Sequence, residues 1–222
     1  MADYELDIVV VDATEEHTST VIWLHGLGAS GDDFEPVVPM MEMPNTRFVF
    51  PNAPILPVTI NMGMRMPAWY DILDMDWESA EREDESTIRS SAELVIDLIE
   101  AEHARGIPYD RMVLAGFSQG GALALYVGSR FSHTLAGIMV LSAYQVLADS
   151  LAGEAHDSNT NTPILFCHGV FDPMVPVQKG REALEAMVEH GNPCEWNGYR
   201  MEHEVVLDEL HRIKDWLLDC LP

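Results

Sequence analysis

Positive charge is scarce in this amino-acid sequence. Its 222 residues include only 12 lysines and arginines against 37 aspartates and glutamates, so the formal net charge is -25 at pH 7. A chain with this balance repels polyanions and anionic membrane surfaces, because like charges oppose association. We therefore expect no nucleic-acid partner.

Cysteine is scarce as well, and its spacing suggests no covalent or metal framework. The three cysteines, Cys167, Cys194 and Cys220, are odd in number and form no CxxC pair, which argues against disulfides and against a zinc site. The nine histidines contain no HExxH or HxH arrangement of the kind that holds a metal ion. The sequence thus predicts neither a metal nor another cofactor.

Long apolar runs are also missing. No stretch approaches the roughly 18 apolar residues that a membrane-spanning helix needs. The first ten residues, MADYELDIVV, carry acidic side chains where a secretory signal peptide has basic ones. We expect no signal peptide and no stable insertion into a membrane, and the cytoplasm is the expected compartment.

Short apolar runs alternate with amphipathic segments along the chain. Such runs are typical of strands buried on both faces of a mostly parallel sheet, and they occur at 8–11, 21–24, 48–50, 112–115, 138–141 and 164–167. Between them, apolar residues recur with the 3.6-residue period of a helix, as at Val206, Leu210 and Ile213. Because neither a repeat nor a linker divides the chain, we predict one α/β domain over residues 1–222, with a mostly parallel central sheet and helices on both faces.

Residues 55–77 interrupt this alternation. The segment ILPVTINMGMRMPAWYDILDMDW has no clean period, so we expect a long irregular excursion that either forms a pocket wall or serves only packing. The acidic cluster ESAEREDE at 78–85 follows it. We expect that cluster to be solvated, as a loop or a helix start, rather than to bind a metal.

The most informative local pattern is GFSQG at 116–120. It follows the predicted strand 112–115 and precedes a helical segment of small residues, which is the setting of a sharp strand-to-helix turn. Glycines two positions before and after the serine allow the close approach that such a turn requires. The turn would place the hydroxyl of Ser118 at a helix N-terminus, where backbone N–H groups favour developing negative charge. Ser118 is therefore the predicted nucleophile.

A serine nucleophile needs a general base and an acid that orients the base. In chains with this turn, the acid and then the histidine follow the serine. Among the downstream histidines, His203 alone follows a strand-like segment and directly precedes the final amphipathic helix, so we predict that it is the base. Asp172, which follows the strand at 164–167, is the predicted acid, and Asp149 and Asp157 are its rivals in a polar segment.

Two N–H donors are needed to stabilise an oxyanion. One is the backbone N–H of Gln119, which follows the nucleophile. The second is expected from the loop HGLGASG at 25–31, because its glycines let the backbone approach a substrate oxygen. A phosphate-binding loop is the alternative, although the segment lacks the lysine of a GxxxxGK[ST] motif.

The chain resembles the carboxylesterase and acyl-protein thioesterase family of small α/β-hydrolases, also called the phospholipase/carboxylesterase family. The resemblance runs almost end to end and is carried by WLHGLGASGDDFEPV (23–37), FVFPNAP (48–54), AWYD (68–71), RMVLAGFSQGGALAL (111–125), CHGVFDPMVPV (167–177) and YRMEHEV (199–205). It implies an α/β-hydrolase fold, a catalytic triad of Ser118, Asp172 and His203, and oxyanion N–H groups from Leu27 and Gln119. The chain differs from bacterial relatives at Asn52, where these often have histidine, and in its strongly acidic composition.

These observations predict a serine hydrolase that works without a cofactor. The resemblance favours a carboxylesterase that cleaves esters with short to medium acyl chains through an acyl-enzyme. The alternative is an acyl-protein thioesterase or a lysophospholipase that acts on longer acyl chains, and a non-catalytic binding protein is the alternative of a different class.

The expected partner is a small-molecule acyl ester or thioester, and a homodimer is left open. For substrate binding we select Ile55, Met66 and Trp69 in the excursion, because flexible and aromatic side chains suit an adaptable acyl pocket.

Overall fold

A seven-stranded sheet forms the centre of the computed structural model, which describes residues 6–222. Its strands are β1 (Ile8–Val11), β2 (Ser19–Leu24), β3 (Thr46–Pro51), β6 (Met112–Phe117), β7 (Gly137–Leu141), β8 (Ile164–Gly169) and β9 (Cys194–Tyr199). They are arranged in the order β1-β3-β2-β6-β7-β8-β9. Strand β1 runs antiparallel to β3, and all other neighbours in the sheet are parallel. The predicted mostly parallel sheet is confirmed.

Within residues 6–222, six α-helices connect and cover the strands. They are α1 (Val38–Met41), α2 (Glu85–Ala104), α3 (Gln119–Arg130), α4 (Leu151–Glu154), α5 (Val177–His190) and α6 (Leu207–Cys220). Among the helices of residues 6–222, none is both long enough and apolar enough to cross a membrane.

The strand side chains alternate between two apolar layers. In β2, Val21 and Trp23 belong to the layer that contains residues of α1 and α6, whereas Ile22 and Leu24 belong to the layer that contains residues of α2 and α3. This alternation follows from the two-residue period of a strand, and it explains why the strands read as continuous apolar runs. Helices therefore cover both faces of the sheet, as predicted.

The excursion at 55–77 is more regular than predicted. It contains an antiparallel hairpin of β4 (Ile55–Val58) and β5 (Met64–Pro67), which lies outside the central sheet. The turn between these strands uses left-handed backbone at Met62 and Gly63, with φ of 56° and 73°. Each strand has only four residues and includes a proline, so the sequence alternates too little between apolar and polar residues to predict the hairpin.

The acidic cluster at 78–85 is only partly solvated. Asp84 caps α2, because its side chain accepts a hydrogen bond from the backbone N–H of Ser86. Arg82 is instead buried and forms an ion pair with Glu83. The prediction of a helix start is thus right for Asp84, and the prediction of full solvation is wrong at Arg82 and Glu83, because these two side chains neutralise each other.

Candidate active site

Ser118 lies in a sharp turn between β6 and α3. Its backbone has φ 55° and ψ -122°, a conformation that few residues other than glycine adopt. The turn is held from both sides, because the N–H of Ser118 donates to the carbonyl of Leu141 at 2.8 Å and its own carbonyl accepts from Ala122 at 3.0 Å. This geometry brings the serine to the N-terminal end of α3.

The two glycines of the GxSxG pattern are required by close backbone contacts. A Cβ atom at Gly116 would lie 2.3 Å from backbone atoms of Gly120, and a Cβ atom at Gly120 would lie 2.4 Å from the carbonyl oxygen of Leu24. Both distances are far below van der Waals contact. The strand-to-helix turn therefore excludes a side chain at either position.

Ser118, His203 and Asp172 form one chain of hydrogen bonds. Nε2 of His203 is 2.9 Å from Oγ of Ser118, and Nδ1 of His203 is 2.6 Å from Oδ2 of Asp172. Because a carboxylate only accepts, the consistent arrangement has Nδ1–H donating to Asp172 and Nε2 accepting from the serine hydroxyl. The structure brings together Ser118 and His203, which are 85 positions apart in the chain, and Asp172, which is 31 positions from His203.

Asp172 is held in an ionised state that suits this arrangement. Burial opposes its ionisation, but hydrogen bonds from His203 and from the backbone N–H groups of Val175 and Met174 outweigh burial and hold the pKa of Asp172 below its usual value. The two N–H groups donate to Oδ1, each at 2.8 Å. The other carboxylate oxygen is thereby left to His203.

A second histidine, His168, supports the loop of Asp172. Its Nε2 is 2.9 Å from the carbonyl oxygen of Val175 and 3.7 Å from Oδ2 of Asp172. Burial lowers the pKa of His168, so the ring is neutral and donates Nε2–H to the carbonyl. His168 belongs to the end of β8, and no role is predicted for it from the sequence. The only sequence signal for its role is its place four residues before Asp172.

The loop at 25–31 is positioned by His25 and Asn52. Nδ1 of the buried His25 is 2.7 Å from the carbonyl oxygen of Gly26, and its Nε2 accepts from the backbone N–H of Ala53 at 3.0 Å. Burial lowers the pKa of His25, which keeps Nε2 available as an acceptor. The side-chain oxygen of Asn52 accepts from the N–H of Gly31 at 2.8 Å. Asn52 thus fastens the loop whose N–H groups we predicted as oxyanion donors.

The two predicted oxyanion residues, Leu27 and Gln119, both lie at the cavity of Ser118. The Gln119 side chain is fixed by two hydrogen bonds, because it accepts from the backbone N–H of Trp69 and donates to the carbonyl of Tyr70, both at 2.8 Å. As the first residue of α3, Gln119 has a backbone N–H that lacks a partner within the helix.

A cavity of about 420 Å³ opens beside Ser118 and His203. Its apolar lining consists of Leu27, Ala29, Phe34, Ile60, Ile72, Met75, Trp77, Phe117, Tyr144, Met174, Val175 and Val205. The charged side chains in its lining are those of Asp33, Arg82 and Glu204. A volume of this size and an apolar lining suit a small organic group such as an acyl chain.

Contrary to the prediction, Ile55, Met66 and Trp69 do not line this cavity. Trp69 is fully buried, and its indole N–H donates to the carbonyl of His25 at 2.8 Å. Ile55 is 51% exposed on β4, and the sulfur of Met66 accepts from Asn61. The excursion does line the cavity, but through Ile60, Ile72, Met75 and Trp77.

Within residues 6–222, no three histidine, cysteine or carboxylate side chains are grouped so as to hold a metal ion.

Comparison with known proteins agrees with this geometry. A family model described as Phospholipase/Carboxylesterase matches residues 6–221. Acyl-protein thioesterase 1 of Neurospora crassa is 39% identical over 96% of this chain and 91% of its own length. The crystal structure of Arabidopsis thaliana SOBER1 superposes with a TM-score of 0.86 at 32% identity, over 92% of this chain and all of that one. Zea mays acyl-protein thioesterase 2 gives a TM-score of 0.87 at 27% identity, over 97% and 99% of the two chains.

Proposed function

Because this chain belongs to the phospholipase/carboxylesterase family of α/β-hydrolases, we propose that it is an acyl-protein thioesterase that hydrolyses the thioester of S-acylated proteins. The observation that carries the proposal is the hydrogen-bonded series of Ser118, His203 and Asp172 beside an apolar cavity. The names of the relatives favour this alternative over the simple carboxylesterase that we expected first, since three relatives that are 34–39% identical over at least 95% of this chain are named acyl-protein thioesterase 1.

The geometry supports a two-step mechanism. Oγ of Ser118 attacks the carbonyl carbon of the acyl group while Nε2 of His203 takes the hydroxyl proton, and Asp172 stabilises the imidazolium that forms. The backbone N–H groups of Leu27 and Gln119 donate to the oxyanion. The intermediate then expels the thiol with the proton from His203. Water attacks the acyl-enzyme by the same route and releases the carboxylic acid.

The proposal requires no metal or other cofactor. The substrate is an acyl thioester on a protein. A cytoplasmic location stays a prediction, and a homodimer stays open.

A substrate comparison tests the proposal. Purified protein is assayed with an S-acylated peptide, with the oxygen ester of the same acyl group, and with a lysophospholipid that carries it. We expect the highest kcat/KM for the thioester peptide and no turnover by Ser118→Ala. Hydrolysis of short oxygen esters together with inert S-acylated peptide would restore the carboxylesterase interpretation, and preference for the lysophospholipid would favour a lysophospholipase.

A covalent probe distinguishes an enzyme from a binding protein. A fluorophosphonate ester should label the wild-type protein and leave Ser118→Ala unlabelled. A wild-type protein that binds acyl compounds but resists labelling would contradict the proposed mechanism.

A further inference from the structure

A second cavity lies next to the cavity of Ser118. It has a volume of about 500 Å³, and among the described residues it shares only Trp77, Arg82 and Tyr144 with the lining of the first cavity. Side chains that line two neighbouring cavities stand between them. We call these three residues the partition, because they separate the cavity of Ser118 from the second cavity.

The partition is held together by stacking. The guanidinium carbon of Arg82 lies 3.7 Å from the ring centroid of Trp77 and 5.1 Å from that of Tyr144. The two aromatic rings meet edge to face, with centroids 4.9 Å apart and planes at 88°. Cation-aromatic and edge-to-face contacts are favourable geometries, so Trp77 is held on two sides.

Arg82 is itself fixed from outside the first cavity. Its Nη1 donates to Glu83 at 3.2 Å, and Glu83 lines the second cavity but not the first. Its carbonyl accepts from the N–H of Leu73 at 2.7 Å. Only 9% of the Arg82 side chain is exposed. These contacts anchor the residue that holds Trp77 in place.

The two cavities differ in chemistry. The first has a mainly apolar lining, whereas the second includes charged side chains such as Asp149, Lys179 and Glu182. Among acyl groups bound at Ser118, each longer chain therefore gains apolar contact until the chain is long enough to reach the partition. We propose that Trp77, held by Arg82, is the end wall of the acyl site and sets the longest acyl chain that the enzyme accepts. This inference rests on the acyl hydrolysis of the proposed function, but it does not depend on whether the leaving group is a thiol or an alcohol.

The proposal predicts a break in the chain-length profile. For each methylene that enters the apolar cavity, kcat/KM should rise about fourfold, the factor that corresponds to about 0.8 kcal/mol. The rise should stop at the length that reaches Trp77. In Trp77→Ala, the two cavities join, so the profile should continue to rise beyond the wild-type break and exceed the wild type at least tenfold for the longest chains.

The experiment measures kcat/KM for a series of straight-chain acyl esters and thioesters with wild type, Trp77→Ala, Trp77→Phe and Arg82→Met. Trp77→Phe keeps an aromatic ring under the guanidinium and should keep the break near its wild-type length. Arg82→Met releases Trp77 and should move the break to longer chains. Arg181→Met is the matched control, because Arg181 stacks on Trp196 at 3.9 Å and lines neither cavity.

Two outcomes would overturn the proposal. One is a wild-type profile that rises without a break, and the other is a break that stays at the same length in Trp77→Ala while the variant still hydrolyses the shortest ester. If Trp77→Ala loses all turnover, Trp77→Leu replaces it, because leucine keeps an apolar contact but shortens the wall. A break that moves with oxygen esters while thioesters stay inert would support the partition and contradict the thioesterase.

Discussion

At Ser118 the backbone adopts a conformation that costs a residue with a side chain on the order of 1–3 kcal/mol. The contacts of its N–H with Leu141 and of its carbonyl with Ala122 keep it there. The cost is offset by the surrounding sheet and helix, and the result is a hydroxyl placed where His203 can reach it. The strain at this residue is thus explained by the position it gives to one oxygen atom.

Substitution within the triad should remove turnover and leave the fold intact. We expect Ser118→Ala and His203→Ala each to lower kcat by a factor on the order of 10⁴ to 10⁶, because the two residues act as one unit. Asp172→Asn should also be strongly impaired, since an amide no longer stabilises the imidazolium or selects its tautomer. Steady-state kinetics on an acyl ester, with circular dichroism to check folding, measures these effects.

The matched controls are two other histidines. His190 belongs to α5 and His211 to α6, and neither lines the cavity of Ser118. His190→Ala and His211→Ala should retain wild-type kcat. A folded variant of either that lost as much activity as His203→Ala would refute the assignment of the base.

The residues with a direct chemical role were easier to predict than their supports. Ser118 sits in a pattern with a steric cause, and chain order directs the search to Asp172 and His203. His168 and His25 act through hydrogen bonds to backbone atoms of Val175, Gly26 and Ala53, which no local pattern encodes. Their roles became visible only when the fold brought these atoms together.

At the scale of elements, the turn between β6 and α3 depends on two glycines. Gly120→Ala should lower the free energy of unfolding by about 1–3 kcal/mol, because its new Cβ would meet the backbone oxygen of Leu24, which cannot move aside as a side chain could. Gly153→Ala in α4 is the control. It has no atom within 4 Å of a built Cβ and should be neutral or more stable by up to about 1 kcal/mol. Urea denaturation of both variants tests this difference, and equal stabilities would contradict it.

Helix α6 carries a buried carboxyl that makes stability depend on pH. Burial raises the pKa of Glu209 to about 8, and the N–H of Val206 opposes this shift only through a hydrogen bond of 3.4 Å. Because the folded state holds the proton more tightly than the unfolded state, the stabilisation is complete below the unfolded pKa of about 4.3 and is lost as pH rises toward 8. We expect the free energy of unfolding to fall over this range by at most about 5 kcal/mol.

Glu209→Gln separates this carboxyl from the others. The variant should lose most of the decrease in stability between pH 5 and pH 8, as measured by urea denaturation at several pH values, because its amide does not titrate. Asp208→Asn, at the exposed neighbouring position on the same helix, should retain the wild-type dependence. A Glu209→Gln variant with the wild-type slope would show that another group is responsible.

The excursion shows where prediction from sequence stopped at this scale. The lack of a clean period left a pocket wall and plain packing open, and the structure shows both, because Trp77 lines the cavity whereas Trp69, eight positions earlier, is fully buried. Which tryptophan faces the cavity depends on contacts that are distant in sequence, because Trp77 packs against Tyr144 whereas the indole N–H of Trp69 donates to His25. The strands of the central sheet were predictable because their burial on both faces leaves a continuous apolar run.

At the scale of the whole molecule, most of the lysine and arginine side chains already form ion pairs with carboxylates. Ion pairs join Arg212 to Glu195 and Lys214 to Glu42, which leaves Asp208, Asp215 and Asp219 of α6 exposed beside cations that have other partners. Asp215 and Asp219 are four residues apart on one helix, a spacing at which like charges are destabilising by about 0.2–0.5 kcal/mol. Among residues 6–222, the buried carboxyls are Glu102, Asp172 and Glu209, so the remaining acids face solvent wholly or in part.

This unbalanced surface predicts that salt stabilises the protein. Repulsion among the exposed carboxylates opposes the compact state, and it weakens as the Debye length falls from about 10 Å at 0.1 M salt to about 3 Å at 1 M. We therefore expect the thermal midpoint to rise as NaCl increases from near zero to molar concentration. The rise should be about 2–4 °C for each kcal/mol of repulsion that is relieved. An ordinary acidic protein with dispersed charges would gain little.

Thermal melts at several NaCl concentrations decide between a salt-stabilised protein and an ordinary acidic one. Sucrose is the uncharged control, because excluded solutes also favour burial without screening charge. A midpoint that stays flat or falls with NaCl, or that rises equally with sucrose, would contradict the screening argument.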